Sequence, residues 1–433
     1  MDAMTLRRMR KLVAASGSLV LCLAAASADD AKTVAKTSSH PLTLDAAIRI
    51  ALENHPSAQA GAWRVEASEG RATQMRLWPN PELEFTAEEM PTDGGGFGES
   101  INQVGIAQTV PFPGKTMLDG RIGRLSVHES IATLNALRIK LEKNVKIAFY
   151  RVLAAQGTVT VARELVDVAE QEAAAAAERV KAGGIPAQEQ LRANIAWEQA
   201  KAQLAGFEGD LEVARRGLAE AIGRSDIAAV PIAGSLRETA DYSIIGGARD
   251  MATADHPTIL AAEMARERAA TALKRARIEP MPDVTLGIAG GRDESVGAGI
   301  MSFRVSLPLP LIDRGQGKTR EARAEAAIAQ SEVEATRQRM TRERAEAEIR
   351  LRATEIQAGT YRDKIIPMAL EALQLVRTGF DQGKFPFIDL LDTQRTIAEA
   401  RLAYQQKLLD LNIAQAELQA LIRPAKTISQ TEK

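Results

Sequence analysis

Two stretches of the chain alternate apolar and polar residues with a period of two, which is typical of β-strands whose two faces have different surroundings. In the first stretch, Leu83 and Phe85 alternate with glutamates, and three glycines follow at 94–96. Alternation then resumes and continues to a proline-rich segment. The pattern predicts a hairpin with strands at about 82–90 and 100–110.

The same alternation returns in the second half of the chain. Leu286 and Phe303 lie on predicted strands at about 282–290 and 300–308, and a glycine pair at 290–291 is expected to open the loop between them. Strands of about nine to eleven residues are long enough to cross a bilayer when tilted. A half-buried hairpin of a soluble protein shows the same alternation, so this pattern alone leaves both interpretations open.

A long stretch with at most one proline follows each predicted hairpin, which predicts unusually long helices. Residues 115–181 contain no proline, and at 1.5 Å per residue a helix over them would extend about 100 Å. Residues 318–382 contain only Pro367, where we expect a kink. Another helix is expected before the first hairpin, over 42–77, with Thr43 as its N-cap.

Each long stretch ends at a glycine–proline turn, at 183–186 and at 383–386, and a return helix is expected after each turn. Both return helices have apolar residues at every seventh position: Trp197, Leu204, Leu211 and Leu218 in the first, and Leu390, Ile397, Tyr404, Leu411 and Leu418 in the second. A sustained heptad predicts helices that pack side by side with left-handed supercoiling.

Four pairs of motifs recur in the same order at a nearly constant offset, which indicates an internal duplication. His55-Pro56 recurs 201 residues later as His256-Pro257. The other pairs are Pro79 and Pro81 with Pro280 and Pro282, Pro111 and Pro113 with Pro308 and Pro310, and Gly183 and Pro186 with Gly383 and Pro386. We predict a first repeat at 29–224, a second at 225–424 and a tail at 425–433. The paired histidines are expected to be structural rather than metal ligands.

The first 28 residues have the features of a secretory signal peptide. Basic residues at 7–11 precede an apolar stretch at 12–23 and a small-residue cleavage site at 26–28. The apolar stretch is too short for a membrane-spanning helix. Cys22 leaves lipidation as an alternative, but a lipoprotein signal normally has a small residue before its cysteine, so we favour simple cleavage.

Composition narrows the classes of function. Lys plus Arg number 55 and Asp plus Glu number 56, so the chain has no excess of basic residues for nucleic acid. One cysteine allows no intramolecular disulfide, and four scattered histidines offer no zinc cluster. Because no enzyme motif occurs, we expect no catalytic residue, cofactor or resident metal. Aromatic residues are 4%, which fits closely spaced helices better than a wide core.

Four strands of membrane-crossing length cannot close a barrel within one chain. Open strand edges are not tolerated in hydrocarbon, and small transmembrane barrels have at least about eight strands. Two chains would supply eight strands and three would supply twelve. Long helices that descend from such a ring would close into a tube. The pattern therefore favours a conduit across the outer membrane and much of the periplasm over an isolated coiled coil.

The duplicated helix–hairpin–helix–turn–helix unit resembles the TolC-like outer-membrane efflux family. The motif Gly383-x5-Asp389-Leu390-Leu391-Asp392-Thr393-Gln394-Arg395 is similar to that family's second periplasmic turn. Segments 79–83 (PNPEL) and 108–115 (QTVPFPGK) resemble the heavy-metal branch of the family, the CzcC- and CusC-like proteins. The resemblance covers about residues 41–424.

This resemblance implies a mainly α-helical protein with a transmembrane β-hairpin pair, a homotrimer in which a twelve-stranded β-barrel joins a long α-helical periplasmic tunnel. It also implies a tripartite pump with a periplasmic adaptor and an inner-membrane transporter of the resistance-nodulation-division type. Heavy-metal cations are the expected cargo, and multidrug efflux or type I protein secretion is the alternative. An alternative from another functional class is a periplasmic adaptor or a structural coiled-coil protein. An adaptor, however, would have one helical hairpin between β-rich halves.

The second turn carries a candidate gate. Asp389 and Asp392 are three residues apart and share a helix face, so three chains would place six carboxylates around a narrow opening that attracts cations. Arg395 could pair with either aspartate. In the resembling family, residues at such positions form a constriction and interprotomer salt bridges that hold the tunnel shut. The first turn departs from this motif, with Glu189 and Arg192 at the equivalent positions as candidate partners.

Two further sets of residues are expected to carry function. The turn residues are the expected docking surface for the helical hairpins of an adaptor: Gly183, Gly184, Pro186, Gly383 and Pro386. The polar residues of the strands are expected to face the barrel lumen: Glu82, Glu84, Glu88 and Arg304. Three chains would form an acidic ring there, which suits the passage of cations.

Overall fold

The computed structural model describes residues 41–90, 94, 96–236 and 255–424. The predicted signal peptide at 1–28, with Cys22, and the predicted tail at 425–433 lie outside the described residues. The described chain consists mainly of long helices and contains a single four-stranded sheet. No helix in these ranges is both long and apolar enough to cross a lipid bilayer.

Two short helices stand where the sequence predicts one. Helix α1 spans Leu44–Asn54 and helix α2 spans Pro56–Gln74. Thr43 caps α1 as predicted, since its hydroxyl accepts a hydrogen bond at 3.4 Å from the N–H of the third residue along. The prediction of one helix over 42–77 is wrong at Pro56, because proline has no N–H and disfavours helical backbone in the preceding residue.

The two His-Pro motifs begin equivalent helices. The Nδ1 atom of His55 accepts a hydrogen bond from the Ser57 N–H at 3.1 Å, at the start of α2. The Nδ1 atom of His256 accepts one from the Thr258 N–H at 3.2 Å, at the start of helix α5, Pro257–Arg277. Each histidine is an N-cap followed by proline at the first helical position, which confirms the structural role predicted for the pair.

The first long helix and its return form a hairpin. Helix α3 spans Pro113–Lys181, and its 69 residues extend about 100 Å. Helix α4, Ala187–Ile222, runs back along α3. The largest buried cluster lies around Val145, Phe149 and Val152 of α3, where α1, α4 and the last long helix approach.

The second long helix is interrupted about two-thirds of the way along, next to the proline where the sequence predicts a kink. Helix α6 spans Gln316–Thr360, a π-helical segment follows at Tyr361–Ile365, and helix α7 spans Ile366–Asp381. Pro367 lies in the first turn of α7. A proline cannot donate the hydrogen bond that would continue an α-helix, and the chain accommodates this with wider π-helical turns just before it.

The last helix, α8, spans Phe387–Ile422 and packs against α3, α6 and α7. Its predicted heptad residues are all buried: Leu390, Ile397, Tyr404, Leu411 and Leu418. In α4, by contrast, Trp197, Leu204 and Leu211 are only half-buried. The difference arises because α4 packs mainly against one helix, α3, whereas α8 packs against three, so the same heptad spacing is covered on more sides in α8.

All four strands form one antiparallel sheet in the order β1-β2-β3-β4. The strands span Glu82–Glu88, Ile101–Val110, Val284–Asp293 and Ala298–Ser306, respectively. Pairing of β2 with β3 joins the two predicted hairpins. The sequence predicts β3 at 282–290, but β3 starts after Pro282 and continues through Gly290 and Gly291. Both glycines lie inside the strand, so the expectation that they open the loop is wrong. At Gly291 the backbone of β2 approaches so closely that a side chain would not fit.

Candidate functional site

The sheet has one apolar face, and the strand register sets its members. Leu83 lies opposite Ile106, Ile106 opposite Ile288, and Ile288 opposite Phe303. These four side chains form a continuous row across the sheet, and 78% of Leu83 and 75% of Phe303 are exposed. An exposed apolar band across four strands is suited to hydrocarbon rather than water.

The opposite face of the sheet is polar and carries an ion pair between its two outermost strands. The Nη1 atom of Arg304, on β4, lies 2.9 Å from the Oε2 atom of Glu84, on β1. Because neighbouring strands are about 4.8 Å apart, this pair bridges about 14 Å across β2 and β3. The structure thus brings the four residues predicted for the lumen to one face: Glu82, Glu84, Glu88 and Arg304.

Small residues occupy the middle of this polar face. A Cβ atom added to Gly105 would lie 2.7 Å from the Ala289 Cβ, and one added to Gly291 would lie 1.9 Å from the Asn102 carbonyl oxygen. Such close approaches admit only glycine at these two positions. They indicate that β2 and β3 approach each other closely on this side. Between Glu84 and Arg304 the two central strands carry only small residues: Gly105, Ala107, Gly287 and Ala289.

The two hairpin turns have the same backbone geometry. Gly183 and Gly383 have φ angles of 72° and 71°, in the left-handed region that favours glycine. In each turn the next N–H donates to the carbonyl five residues earlier, at 2.8 Å. Pro186 and Pro386 occupy the N-cap positions of α4 and α8. The predicted docking residues are exposed at these two ends: Gly183, Gly184, Pro186, Gly383 and Pro386.

Side chains that the sequence reasoning did not single out connect the two turns. The Arg179 guanidinium lies 4.4 Å from the centre of the Phe380 ring, and its Nη2 atom lies 3.3 Å from Asp381 Oδ1. Phe380 also packs against Phe387, with ring centres 5.6 Å apart. Phe380 and Phe387 could have been noticed in the sequence, because aromatic residues are rare in this chain and these two flank a turn. Arg179 could not, because it is one of many charged residues on a predicted helix.

The candidate gate residues of the second turn form ion pairs within α8. Arg395 Nη2 lies 2.7 Å from Asp392 Oδ1, and these side chains are 72% and 63% exposed. The Arg395 Nε atom is also 3.7 Å from Glu399. Asp389 makes no ion pair within the described part of the chain. Of the two partners left open for Arg395, the single chain therefore uses Asp392.

The candidate residues of the first turn pair with each other. Arg192 Nη1 lies 3.9 Å from Glu189 Oε1, one helical turn away on α4. The Oε2 atom of Glu189 is buried and has no hydrogen-bond partner among the described residues. Within those residues, neither side chain forms an ion pair with Asp389 or Asp392, so one chain does not join the two halves of the predicted gate.

A groove of about 440 Å³ lies between α4 and α8 above α3. Arg192, Asp392 and Arg395 line it, and Glu172 of α3 contributes a carboxyl. Burial raises the pKa of Glu172 to about 7, although the positive charge of Arg377 opposes part of this shift. The groove thus places an easily protonated carboxyl near three candidate gate residues.

Sequence reasoning missed Glu172 because nothing in the pattern distinguishes it from the other carboxylates on helix faces. Five alanines follow it at 173–177, which is compatible with close helix packing but does not identify a buried acid. Across the described ranges, no three His, Cys, Asp or Glu side chains are grouped so that they could hold a metal ion.

The chain is similar to known sequences over most of its length. Residues 47–224 and 248–422 match the family described as "Outer membrane efflux protein". A curated relative, "Cobalt-zinc-cadmium resistance protein CzcC" of Cupriavidus metallidurans, is 29% identical over 377 residues. That alignment covers 84% of this chain and 86% of the relative.

Solved structures share the fold at lower sequence identity. CusC is 16% identical with a TM-score of 0.73, over 88% of this chain and 92% of CusC. The open state of the MtrE outer membrane channel of Neisseria gonorrhoeae is 21% identical with a TM-score of 0.71, over 88% of each chain. A membrane protein from Pseudomonas aeruginosa is 21% identical with a TM-score of 0.74, over 88% of this chain and 92% of that one. The predicted fold class is confirmed.

Proposed function

This chain belongs to the outer membrane efflux protein family, and from that membership we propose that it is the exit duct of a tripartite pump that exports heavy-metal cations. The proposed partners are a periplasmic adaptor and an inner-membrane transporter of the resistance-nodulation-division type. The chain acts as a passage, and we assign it no catalytic step, cofactor or nucleic-acid partner.

The observation that carries the proposal is the sheet with one apolar and one polar face. An apolar outer face contacts outer-membrane lipid, and a polar inner face lines water, as in transmembrane barrels. One chain supplies four strands, with β1 and β4 at the ends of the sheet. Pairing of β4 with β1 of the next chain in a homotrimer gives twelve strands and leaves no open edge.

The long helices supply the periplasmic part of the duct. Helix α3 alone reaches about 100 Å, which extends far beyond the thickness of a bilayer. Side-by-side packing of α4, α3, α8 and α7 gives a wall of helices, and three such walls close a tunnel. The hairpin turns lie at the end away from the sheet, where a helical hairpin of an adaptor can dock on Gly183, Gly184, Pro186, Gly383 and Pro386.

We propose that the tunnel is closed at the turns by charged side chains of neighbouring protomers. Asp389 has no ion-pair partner within the described chain, and one Glu189 oxygen is buried without a hydrogen-bond partner. The Asp389 carboxylate is exposed and available to a second protomer, whereas the buried Glu189 oxygen would become available only if the Glu189 side chain turned outward. Asp392, Arg395 and Arg192 already line a common groove and complete the proposed gate.

Two observations support metal cations as the cargo. The relative in Cupriavidus metallidurans is named for resistance to cobalt, zinc and cadmium. The polar face of the sheet has three glutamates, of which one is paired with Arg304. Since crowded carboxylates attract cations and repel anions, this face suits the passage of positively charged cargo.

The test is the phenotype of a strain that lacks this protein. We expect greater sensitivity to cobalt, zinc and cadmium salts, with little change for drugs, and restoration by the wild-type gene. Drug sensitivity without metal sensitivity would replace the metal cargo with multidrug efflux. Loss of a secreted polypeptide instead would indicate type I secretion. The control is an outer-membrane fraction that contains comparable amounts of the restored protein.

A further inference from the structure

We propose that Glu84 determines the charge selectivity of the duct by holding the Arg304 guanidinium against the wall of the sheet. This inference rests on the proposed function, because it takes the polar face of the sheet as the lining of a passage. It adds a specific role for two residues that otherwise count only as one negative and one positive charge.

The contact itself defines where the guanidinium lies. Arg304 extends from β4 across β3 and β2 and ends 2.9 Å from the Glu84 carboxylate on β1. A guanidinium bonded to a carboxylate on the far strand of the same sheet runs along the wall rather than out from it. The central strands carry only glycine and alanine along this route, at 105, 107, 287 and 289, so no large side chain blocks it.

The consequence for ions follows from the position of the positive charge. In the native pair, the Arg304 charge is close to a negative charge, and the two together form a compact dipole with a short-ranged field. Without Glu84, the arginine side chain can extend toward the axis of the passage. Three copies would then place three positive charges in the path of cations, where they would repel the cargo.

This role does not depend on how much the pair stabilises the fold. The Arg304 side chain is 53% exposed and Glu84 is 32% exposed, and exposed ion pairs contribute little to stability. Loss of the pair is therefore expected to leave folding intact while it changes the field in the passage.

Glu82 is a matched control for the loss of one negative charge. It lies on the same strand and the same face, in the row that contains Arg304. In the part of the chain that the structure describes, its carboxylate makes no ion pair. The change Glu82→Gln therefore removes one charge per protomer without releasing an arginine.

The experiment measures reversal potentials of the full-length protein in planar bilayers under a potassium chloride gradient. We expect Glu82→Gln to lower the potassium-to-chloride permeability ratio about twofold, since a charge about 10 Å from the ion path acts weakly through water. Glu84→Gln should lower the ratio roughly fourfold, because it removes a carboxylate and also releases Arg304. In an Arg304→Gln background, Glu84→Gln should have only the smaller effect.

An equal effect of Glu84→Gln in both backgrounds would overturn the inference, as would an effect no larger than that of Glu82→Gln. If Glu84→Gln fails to assemble, Glu84→Asp replaces it. The aspartate keeps the negative charge, but its side chain is one methylene shorter and cannot hold Arg304 at the same position. We then expect a lower ratio than in wild type, and an unchanged ratio would overturn the inference. Wild-type protein that forms no pore would overturn the proposed function and this inference with it.

Discussion

Arg179 at the end of α3 lies over the ring of Phe380 at the end of α7, so one guanidinium connects the two hairpin turns of a chain. The same guanidinium is 3.3 Å from Asp381. A cation–π contact at an exposed site contributes about 0.5–1 kcal/mol, and an exposed ion pair adds about 0–1 kcal/mol. Together the two contacts contribute about 0.5–2 kcal/mol to the connection between the turns.

We expect Arg179→Ala to loosen the second turn without unfolding the protein. Amide hydrogens at 379–387 should exchange several-fold faster, because a loss of about 1 kcal/mol in local opening free energy corresponds to roughly fivefold. Hydrogen-exchange mass spectrometry measures this. Lys181→Ala is the matched control, since Lys181 is on the same helix and pairs with Glu178 only one turn away, at 2.6 Å. Equal exchange in the two variants would contradict the proposed link.

The proposed gate makes a second prediction. Replacement of both Asp392 and Arg395 by Ala should raise the closed-state conductance in planar bilayers, because it removes the charges proposed to hold neighbouring protomers together. Lys407→Ala is the control, as Lys407 also lies on α8 and pairs within that helix, 3.6 Å from Asp410. A closed level that stays at the wild-type value in the double variant would remove these residues from the gate.

A third prediction concerns Gly379, which lies beneath Phe385 in the second turn. A Cβ at this position would come 2.1 Å from the ring, so Gly379→Ala must displace it. Overpacking costs about 1–3 kcal/mol, whereas alanine gains up to about 1 kcal/mol over glycine inside a helix. We expect a net loss of about 1 kcal/mol and a lower thermal midpoint in detergent.

The control for this change is Gly217→Ala, on α4. No atom lies within 4 Å of a Cβ built at Gly217, so this variant gains helix propensity without a clash and should be slightly more stable than wild type. Parallel shifts of the two variants would show that Phe385 does not constrain Gly379.

Sequence periodicity and resemblance identified much of this architecture. Alternation located all four strands, and the family prediction is confirmed over both matched segments. The Glu84–Arg304 pair could not be predicted from the sequence. It joins residues 220 positions apart and depends on the pairing of β2 with β3, which brings the two hairpins together. The heptads did not predict burial either, since the same spacing gave five buried residues in α8, whereas in α4 only Leu218 is buried and the other three are half-buried.

At the turns, too, the sequence predicted the backbone better than it predicted the roles of the side chains. The sequence placed Gly183 and Gly383 correctly, because a left-handed residue after a helix has a strong local signal. The sequence left both Asp389 and Asp392 open as partners of Arg395, although the three-residue spacing to Asp392 suits a pair on one helix face and the six-residue spacing to Asp389 does not. The side-chain geometry agrees with that preference within one chain, and the assignment of these residues to a gate stays a prediction.

The last prediction follows from the raised pKa of Glu172, which burial brings from its ordinary value of 4.5 to about 7. Between these two values, the folded protein keeps a proton that the unfolded chain has lost. The free energy of unfolding therefore falls as the pH rises from about 4.5 to about 7. Because the carboxyl is partly solvated, we discount the full shift and expect an effect of about 1 kcal/mol.

Glu172→Gln carries a permanent analogue of the protonated side chain and should remove this pH dependence. The variant should match wild type near pH 4.5 and have the higher thermal midpoint above about pH 7, where only the wild type has to bury a charge. Glu170→Gln is the control, because Glu170 is exposed on the same helix. Thermal unfolding of the detergent-solubilised protein from about pH 4.5 to about pH 8 measures the difference. If the midpoints of Glu172→Gln and wild type stay parallel across this range, the Glu172 carboxyl ionises in its ordinary range and the groove between α4 and α8 is open to water.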